Sequence, residues 1–479
     1  MTAVRPAAII VLAAGGGTRM RSSTPKVLHS IGGRSLLGHA LHAARGLQPD
    51  RLMVVLGHGR EVVAPHLDEL DDTALVAVQE QQLGTGHAVQ VALASLPPSD
   101  GVVVVTYGDV PLQTTDILVD LVAAHLAGDN AVTVLTAVVP DPHGYGRIVR
   151  DRSGAVVAVV EEKDATDEQR AVTEINSGIF AYDAAFLREA LGRVGNANAA
   201  GEFYLTDVVA VAAGDGRRVG AVVAQDVWLT QGVNTRSQLS AMGRELNRRV
   251  LEQWMDRGVE VIDPATTWVD VTVQLAPDVS LRPGVQLHGS TRVDVGAVLG
   301  PDTTLTDVEV GASAHVVRTH GSGAVLGAGS TVGPFAYLRP GTVLGAAGKI
   351  GAFVETKNAV IGTGAKVPHL SYVGDADIGE GTNIGAGTIF ANYDGVSKHR
   401  TTVGAHCRTA SQNTFVAPVA IGDGAATGAG TVVRRNVAPG ALAVSSGPQR
   451  QIEGWVQRKR PGSAAARAAD AALDEEADQ

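Results

Sequence analysis

The chain predicts two architectures in series, an α/β domain followed by an all-β solenoid, and three features of its 479 residues carry that prediction. Up to about residue 232, β-branched apolar runs alternate with stretches of helical spacing. From about residue 262 the helical spacing disappears and one residue class recurs every six positions. Between the two lies a single amphipathic stretch, 235–257.

The runs IIVLAA (9–14), RLMVVLG (51–57), VVVVTYGD (102–109) and AVTVLTAVV (131–139) are continuously apolar, which suits strands covered on both faces. A mostly parallel sheet with crossover helices follows, and residues 35–47 and 86–96 carry the helical patterning it needs. Sites in such folds lie beyond the carboxyl ends of the strands. In 235–257, Leu239, Met242, Leu246, Val250 and Trp254 recur at spacings of three and four, placing them on one helix face, and Gly258 is a stop signal.

In the solenoid part, Val403, Thr409, Phe415, Ile421, Thr427 and Val433 keep intervals of six, as do Leu326, Val332, Leu338, Leu344, Ile350 and Thr356. A recurring inward residue with small neighbours is the pattern of stacked β coils. Ile361, Val367 and Val373 keep step, then Ile378 and Ile384 restart one residue early. Residues 390–401 (FANYDGVSKHRT) fit no coil and are expected to protrude as a loop, a common place for function. Residues 461–479, Ala-rich and then acidic, are expected to be disordered. The expected segments are 1–234, a linker helix 235–258, a solenoid 259–460 and the tail 461–479.

Composition excludes several classes. With 39 basic against 49 acidic residues the net charge is −10, so nucleic-acid binding is not expected. AAIIVLAA (7–14) is too short to span a bilayer and no signal-peptidase pattern follows it, so a cytoplasmic protein without a membrane partner is expected. A single cysteine, Cys407, forbids an internal disulfide and reads as a small buried thiol. There are 58 glycines without a strict three-residue period, which excludes collagen.

Two groups of residues carry chemistry. LAAGGGTRM (12–20) follows a predicted strand, and its glycines let backbone N–H groups approach phosphate oxygens, with Arg19 and Lys26 adding charge. It is not a Walker loop, since GxxxxGK[ST] is absent. Asp109 ends a buried apolar strand, where a carboxylate needs a cap or a cation, and oxygen ligands suit Mg²⁺. In the solenoid, Arg339, Lys357, His369, Tyr372 and Lys398 interrupt the small apolar texture within 60 residues. Clustered cations invite an anionic ligand. His369 is the candidate general base, because imidazole titrates near ~6.5, within the working range.

LAAGGGTRM with Pro25-Lys26 resembles the signature of nucleotidyltransferases that make sugar nucleotides, and QLGTGHA (82–88), YGDVP (107–111), GYGRIVR (144–150), EINSGIF (174–180), GEFYLTD (201–207) and GVNTR (232–236) continue it. Together with the hexapeptide half, the chain to about residue 460 resembles the bacterial family of bifunctional N-acetylglucosamine-1-phosphate uridyltransferases/glucosamine-1-phosphate acetyltransferases. The resemblance implies a Rossmann-like α/β nucleotidyltransferase domain, a left-handed parallel β-helix (hexapeptide repeat) domain, a homotrimer, and UDP-N-acetylglucosamine as the product, destined for cell-wall synthesis.

The resemblance also assigns residues. Leu12, Ala13, Ala14, Gly15, Gln79, Gly84 and Thr85 would contact UTP, with Lys26 and Arg19 catalytic on its phosphates. Tyr107, Gly146, Glu161, Asn176 and Asn234 would line the sugar side, Gly108 would contact UTP or the UDP-N-acetylglucosamine product, and Asp109 and Asn234 would hold Mg²⁺. At the acetyl site Arg339, Lys357, Tyr372, Asn383 and Lys398 would bind glucosamine-1-phosphate, Lys398 from a neighbouring subunit. Ala386, Asn392, Tyr393, Ser411 and Ala429 would bind acetyl-CoA. Where some relatives place an arginine near the CoA phosphates, this chain reads Ser445-Ser446-Gly447, leaving Arg450 or WVQRKR (455–460) as substitutes.

Overall fold

A computed structural model describes residues 5–445, 447 and 449–477. The chain forms two compact units, residues 1–308 and 309–479.

The first unit is built on strands β1 (Ala8–Leu12), β2 (Leu52–Leu56), β3 (Leu75–Val78), β4 (Val102–Tyr107), β5 (Val132–Val138), β6 (Arg147–Arg150), β7 (Val156–Val160), β8 (Glu174–Asp183) and β9 (Val219–Val223), in the order β9-β5-β8-β4-β1-β2-β3. All five residues of β1 are buried, and alternation divides them: Ile10 and Leu12 join the core on one face, Ile9 and Val11 the core on the other. That two-sided burial is why the run carries no polar residue. β1 pairs in parallel with β2 and β4. β8 runs antiparallel to β4 and β5, so the sheet is mixed. The reason is local. Between β5 and β8 the chain makes the antiparallel hairpin β6–β7 instead of a long helical crossover, and parallel pairing needs the crossover.

The expected helices form as Leu36–Gly46, started by a Ser35 side chain that accepts from Gly38 N–H, and Thr85–Ala94. The amphipathic stretch is one helix, Arg236–Asp256, opened by a Thr235/Gln238 capping box. Met242 and Val250 are buried, and Asn247 on the same helix is buried too. The Asn247 amide donates to the Thr267 carbonyl (2.8 Å) and accepts from Val269 N–H (3.0 Å), tying the helix to the first coils. This is why the first compact unit continues past the helix into the six-residue repeat. Those coils pair in parallel, as in Val269 with Leu287 and Leu281 with Leu299.

The second unit is a curled stack of parallel strands, consistent with a left-handed β-helix. Leu326 lies over Leu344 and Leu338 over Thr356, 18 residues on, so three six-residue steps close one coil. Every residue of the two six-step series is buried. Ile361 lies over Ile378, 17 residues on, so that coil is a residue shorter, matching the early restart of the repeat at Ile378. Ile378 then lies over Val403, and the extra residues form a loop between the strands Ile389–Ala391 and Thr401–Val403, shorter than the 390–401 expected because Phe390 and Thr401 are buried in the coils.

The tail is a correction. Ala464–Ala477 is a helix, where disorder is expected from residue 461 onward. AAARAADAALDEEA contains no glycine, proline or β-branched residue, so helix propensity alone favours it, and Ala466 is buried. No helix among the described residues is long and apolar enough to cross a membrane.

Candidate active sites

In the first unit a cavity of about 550 Å³ opens beyond the carboxyl ends of β1 and β4. It is lined by Leu12, Ala13, Ala14, Gly15, Lys26, Gln79, Gly84, Thr85, Tyr107, Asp109, Gly146, Glu161, Asn176 and Asn234, all expected from the sequence. Gly108 is not in the lining; it is buried against Leu37 and Ala13 and shapes the floor from behind.

The glycine loop is anchored from both sides. Ala13 N–H donates to the Val55 carbonyl (2.9 Å), and Gly108 N–H to the Leu12 carbonyl (3.0 Å). At Gly17 a left-handed φ of 56° and a Cβ that would lie 2.7 Å from Lys26 Cβ make glycine obligatory, so the loop closes directly over Lys26. The Lys26 ammonium pairs with Asp109, and it donates to Asn234 Oδ1 at 3.2 Å. Both charged side chains are largely buried, 13% and 14% exposed. Arg19 lies outside the lining, but its guanidinium reaches the same Asn234 oxygen at 3.0 Å. Two oxygens, Asp109 and Asn234, therefore converge on one cation-sized position.

At the other end, Glu161 accepts from Thr206 Oγ1 (3.2 Å). Burial raises its carboxyl pKa; the Thr206 bond opposes this, and the charges of Asp164, Asp207 and Glu202 add to it. Asn176 Oδ1 accepts from Gly178 N–H at 2.9 Å across a bulge in β8. Gly178 has φ 83°, and a Cβ there would lie 2.5 Å from the Tyr107 ring, so this glycine lets Tyr107 and Asn176 share the wall. Burial also drives the Tyr107 phenol upward. Gln79, expected at a uracil edge, donates its amide to the Gly84 carbonyl (3.0 Å), fixing the loop that starts the Thr85–Ala94 helix.

Sequence reasoning missed several lining residues. Gln82 donates to the Ala14 carbonyl (2.8 Å), Tyr204 bonds Asp164 (3.3 Å) and is pushed up to about 12 by burial and that carboxylate, and Thr206 holds Glu161. Gln82, Tyr204 and Thr206 lie within the quoted motifs 82–88 and 201–207, and that was the available signal.

In the second unit, strand register assembles another cluster. Glu355 lies over Tyr372 and Lys357 over Gly374. Arg339 bonds Glu355 (3.0 Å) and Lys357 faces Asp375 (3.7 Å). Asp375 is the hub: it accepts from Asn358 (2.8 Å) and Asn392 (2.5 Å), and Asn392 also reaches the Tyr372 hydroxyl (3.4 Å). Burial alone would raise the Asp375 carboxyl, yet these bonds and the charges of Lys357 and Lys398 hold it below the usual range. Lys398 is on the protruding loop, and the neighbouring Lys357 ammonium lowers its pKa. His369 is exposed at a coil corner, its carbonyl accepting from Ser371 Oγ (2.7 Å). Asn383 bridges Lys366 and Arg408 through its backbone.

Ala386, Ser411 and Ala429 fall on one corner of three successive coils: Gln412 N–H donates to the Ala386 carbonyl (2.7 Å) and Gly430 N–H to that of Ser411 (3.0 Å). Asn392 and Tyr393 stand at the loop base, the Tyr393 hydroxyl donating to the Gly395 carbonyl (2.6 Å). Ser445 Oγ is taken by Val432 N–H (2.8 Å), and Ser446 lies outside the described residues. Arg450 is exposed, and the Arg460 guanidinium covers the Trp455 ring (5.4 Å).

Comparison with known proteins finds matches within the first unit and over nearly the whole chain. Residues 9–173 match the MobA-like NTP transferase domain. The chain is 62% identical over 471 residues to the bifunctional protein GlmU of Kineococcus radiotolerans, covering 98% of this chain and 96% of the relative. It is 59% identical to the bifunctional protein GlmU of Pseudarthrobacter chlorophenolicus (98% and 96% covered) and 59% identical to that of Mycolicibacterium gilvum (97% and 94% covered).

Proposed function

The chain belongs to the family of bifunctional GlmU proteins, and on that premise we infer which side chains carry its two transfers. It acetylates glucosamine-1-phosphate with acetyl-CoA, then transfers UMP from UTP to N-acetylglucosamine-1-phosphate with release of pyrophosphate. The product, UDP-N-acetylglucosamine, feeds cell-wall synthesis.

In the acetyl step the sugar amine attacks the thioester carbonyl, a C–N bond forms, the C–S bond breaks, and His369 takes the amine proton. Arg339, Lys357 and Lys398 hold the sugar phosphate. Among the described residues their three charges are met by the carboxylates of Glu355 and Asp375, so the cluster has room for an anion. Tyr372 and Asn383 complete the sugar pocket, while Ala386, Asn392, Tyr393, Ser411 and Ala429 form the track for acetyl-CoA.

In the uridylyl step a phosphate oxygen of N-acetylglucosamine-1-phosphate attacks the α-phosphorus in line as the bond to pyrophosphate breaks. Catalysis is positioning and charge neutralisation. The loop Leu12–Gly15 with Gln79, Gly84 and Thr85 binds the nucleotide, and Lys26 and Arg19 neutralise its phosphates. Tyr107, Gly146, Glu161 and Asn176 orient the sugar. Asp109 and Asn234 fit Mg²⁺, because two hard oxygens already converge on a cation there and this ion keeps waters and substrate oxygens as its other ligands. Bound Mg²⁺ supplies further neutralisation of the triphosphate.

The homotrimer is part of the same reading, supported by an apolar ridge on the second unit: Phe335, Phe353 and Leu370 are 54%, 60% and 61% exposed, and the two rings stack at 5.2 Å. A cytoplasmic location, where UTP and acetyl-CoA are at hand, is part of the same reading. The observation that carries the proposal is the convergence of Lys26, Asp109 and Asn234 in a cavity beneath the glycine loop. The test is a product assay on pure protein. UTP, N-acetylglucosamine-1-phosphate and Mg²⁺ release pyrophosphate, and glucosamine-1-phosphate with acetyl-CoA releases CoA; silence in either assay refutes that half of the reading.

A further inference from the structure

We propose that Arg147 and Glu162 are positioning residues for the sugar end of the first cavity, an ion-pair strut that sets both of its facing walls; this rests on the uridylyl-transfer reading above. Arg147 opens β6 opposite Val160 of β7, so Gly146 and Glu161 face each other across the hairpin mouth. A Cβ on Gly146 would lie 3.4 Å from both Glu161 carboxylate oxygens. Gly144, Tyr145, Gly146 and Glu161 line the cavity, whereas Arg147 and Glu162 lie just behind it.

The strut is complete on the wall side. The Arg147 side chain is 2% exposed. Its guanidinium donates to the Tyr145 carbonyl and, at 2.7 Å, to Glu162 Oε2, which also accepts from Gly144 N–H at 3.2 Å. One ion pair thus ties three consecutive lining residues to the strand end that carries Glu161. Gly146 passes the constraint on, its carbonyl accepting from Asn176 N–H at 2.8 Å.

Stability does not account for this arginine. Burying a guanidinium is costly, a well-packed apolar side chain of similar volume commonly serves a core as well, and Arg147 Nε is buried without a partner among the described residues. What the charge pair supplies is geometry. Two glycines in a three-residue stretch, one at φ 85°, leave the wall soft unless something outside it fixes the backbone.

The experiment measures uridylyl-transfer kinetics in the full-length chain, varying each substrate separately, for Arg147→Met, Glu162→Gln and Arg147→Lys. Met and Gln are expected to raise KM for N-acetylglucosamine-1-phosphate about tenfold, equivalent to ~1.4 kcal/mol, while KM for UTP stays within about twofold. Lys, keeping the charge but losing the fork, is expected to recover part of the loss. Acetyl transfer by the same preparations, unchanged, reports an intact chain. If Arg147→Met does not fold, Glu162→Gln decides by the same split. KM values that rise together, or a folded variant in which neither moves, would overturn the strut. A wild-type chain that makes no nucleotide sugar removes the premise instead, so the two failures are distinct.

Discussion

At Lys26 one ammonium faces both oxygens that would hold a metal, with the glycine loop closed over its Cβ. Its loss leaves Asp109 largely buried without that counter-charge and takes a cation from the triphosphate. Lys26→Met is expected to lower uridylyl transfer by about 100-fold or more, read as pyrophosphate release, with acetylation unchanged. His39 gives a pH prediction. Its Nε2 lies 3.0 Å from the Ile31 carbonyl, and burial lowers its pKa to about 4, against the raising effect of that bond and helped by Arg34 and His42. Between ~6.5 and ~4 the unfolded chain binds a proton that the folded chain refuses, so stability rises with pH across that window and is complete above it. The contribution is ~3 kcal/mol at most. His39→Gln keeps a donor for Ile31 but does not titrate, so wild-type Tm should fall relative to the variant as pH drops through the window; parallel curves would contradict this. At this scale motif residues were legible from their surroundings, whereas the commitment of Gln79 to the Gly84 carbonyl was not, because it depends on how a loop closes.

Among elements, the coils were the most legible, because each inward position faces the same narrow core and accepts the same class of residue every six positions. Phe415 shows what that core demands: fully buried, it meets the Phe390 ring edge-on at 5.1 Å. Phe415→Ala should destabilise the second unit by about 3–5 kcal/mol through cavity formation and loss of the ring pair, seen as a lower denaturation midpoint. One element, the tail, was misjudged, and strand direction within the mostly parallel sheet was left open. The direction of β8 follows from a hairpin that replaces a crossover, and apolar content does not reveal strand direction. The helix 464–477 was hidden because an Ala-rich acidic segment shows no core demand, although its propensity pointed to helix.

Over the whole molecule, the proposed sites draw on residues 12–234 in the first unit and residues 339–429 in the second. The order of motifs made that division legible in the sequence. The supporting contacts were not: Asp375 meets Asn358 and Asn392, and Arg147 meets Glu162, only through strand register and loop length, which leave no mark on local spacing. The central claim is that each chemistry depends on its own set of side chains. The measurement that tests it most directly runs the two half-reactions separately in Asp109→Ala and His369→Ala. The account predicts reciprocal loss: uridylyl transfer falls by about 100-fold or more in the first and acetyl transfer by a similar factor in the second, the other activity surviving in each. Loss of both activities in a folded variant, or survival of both, would contradict it.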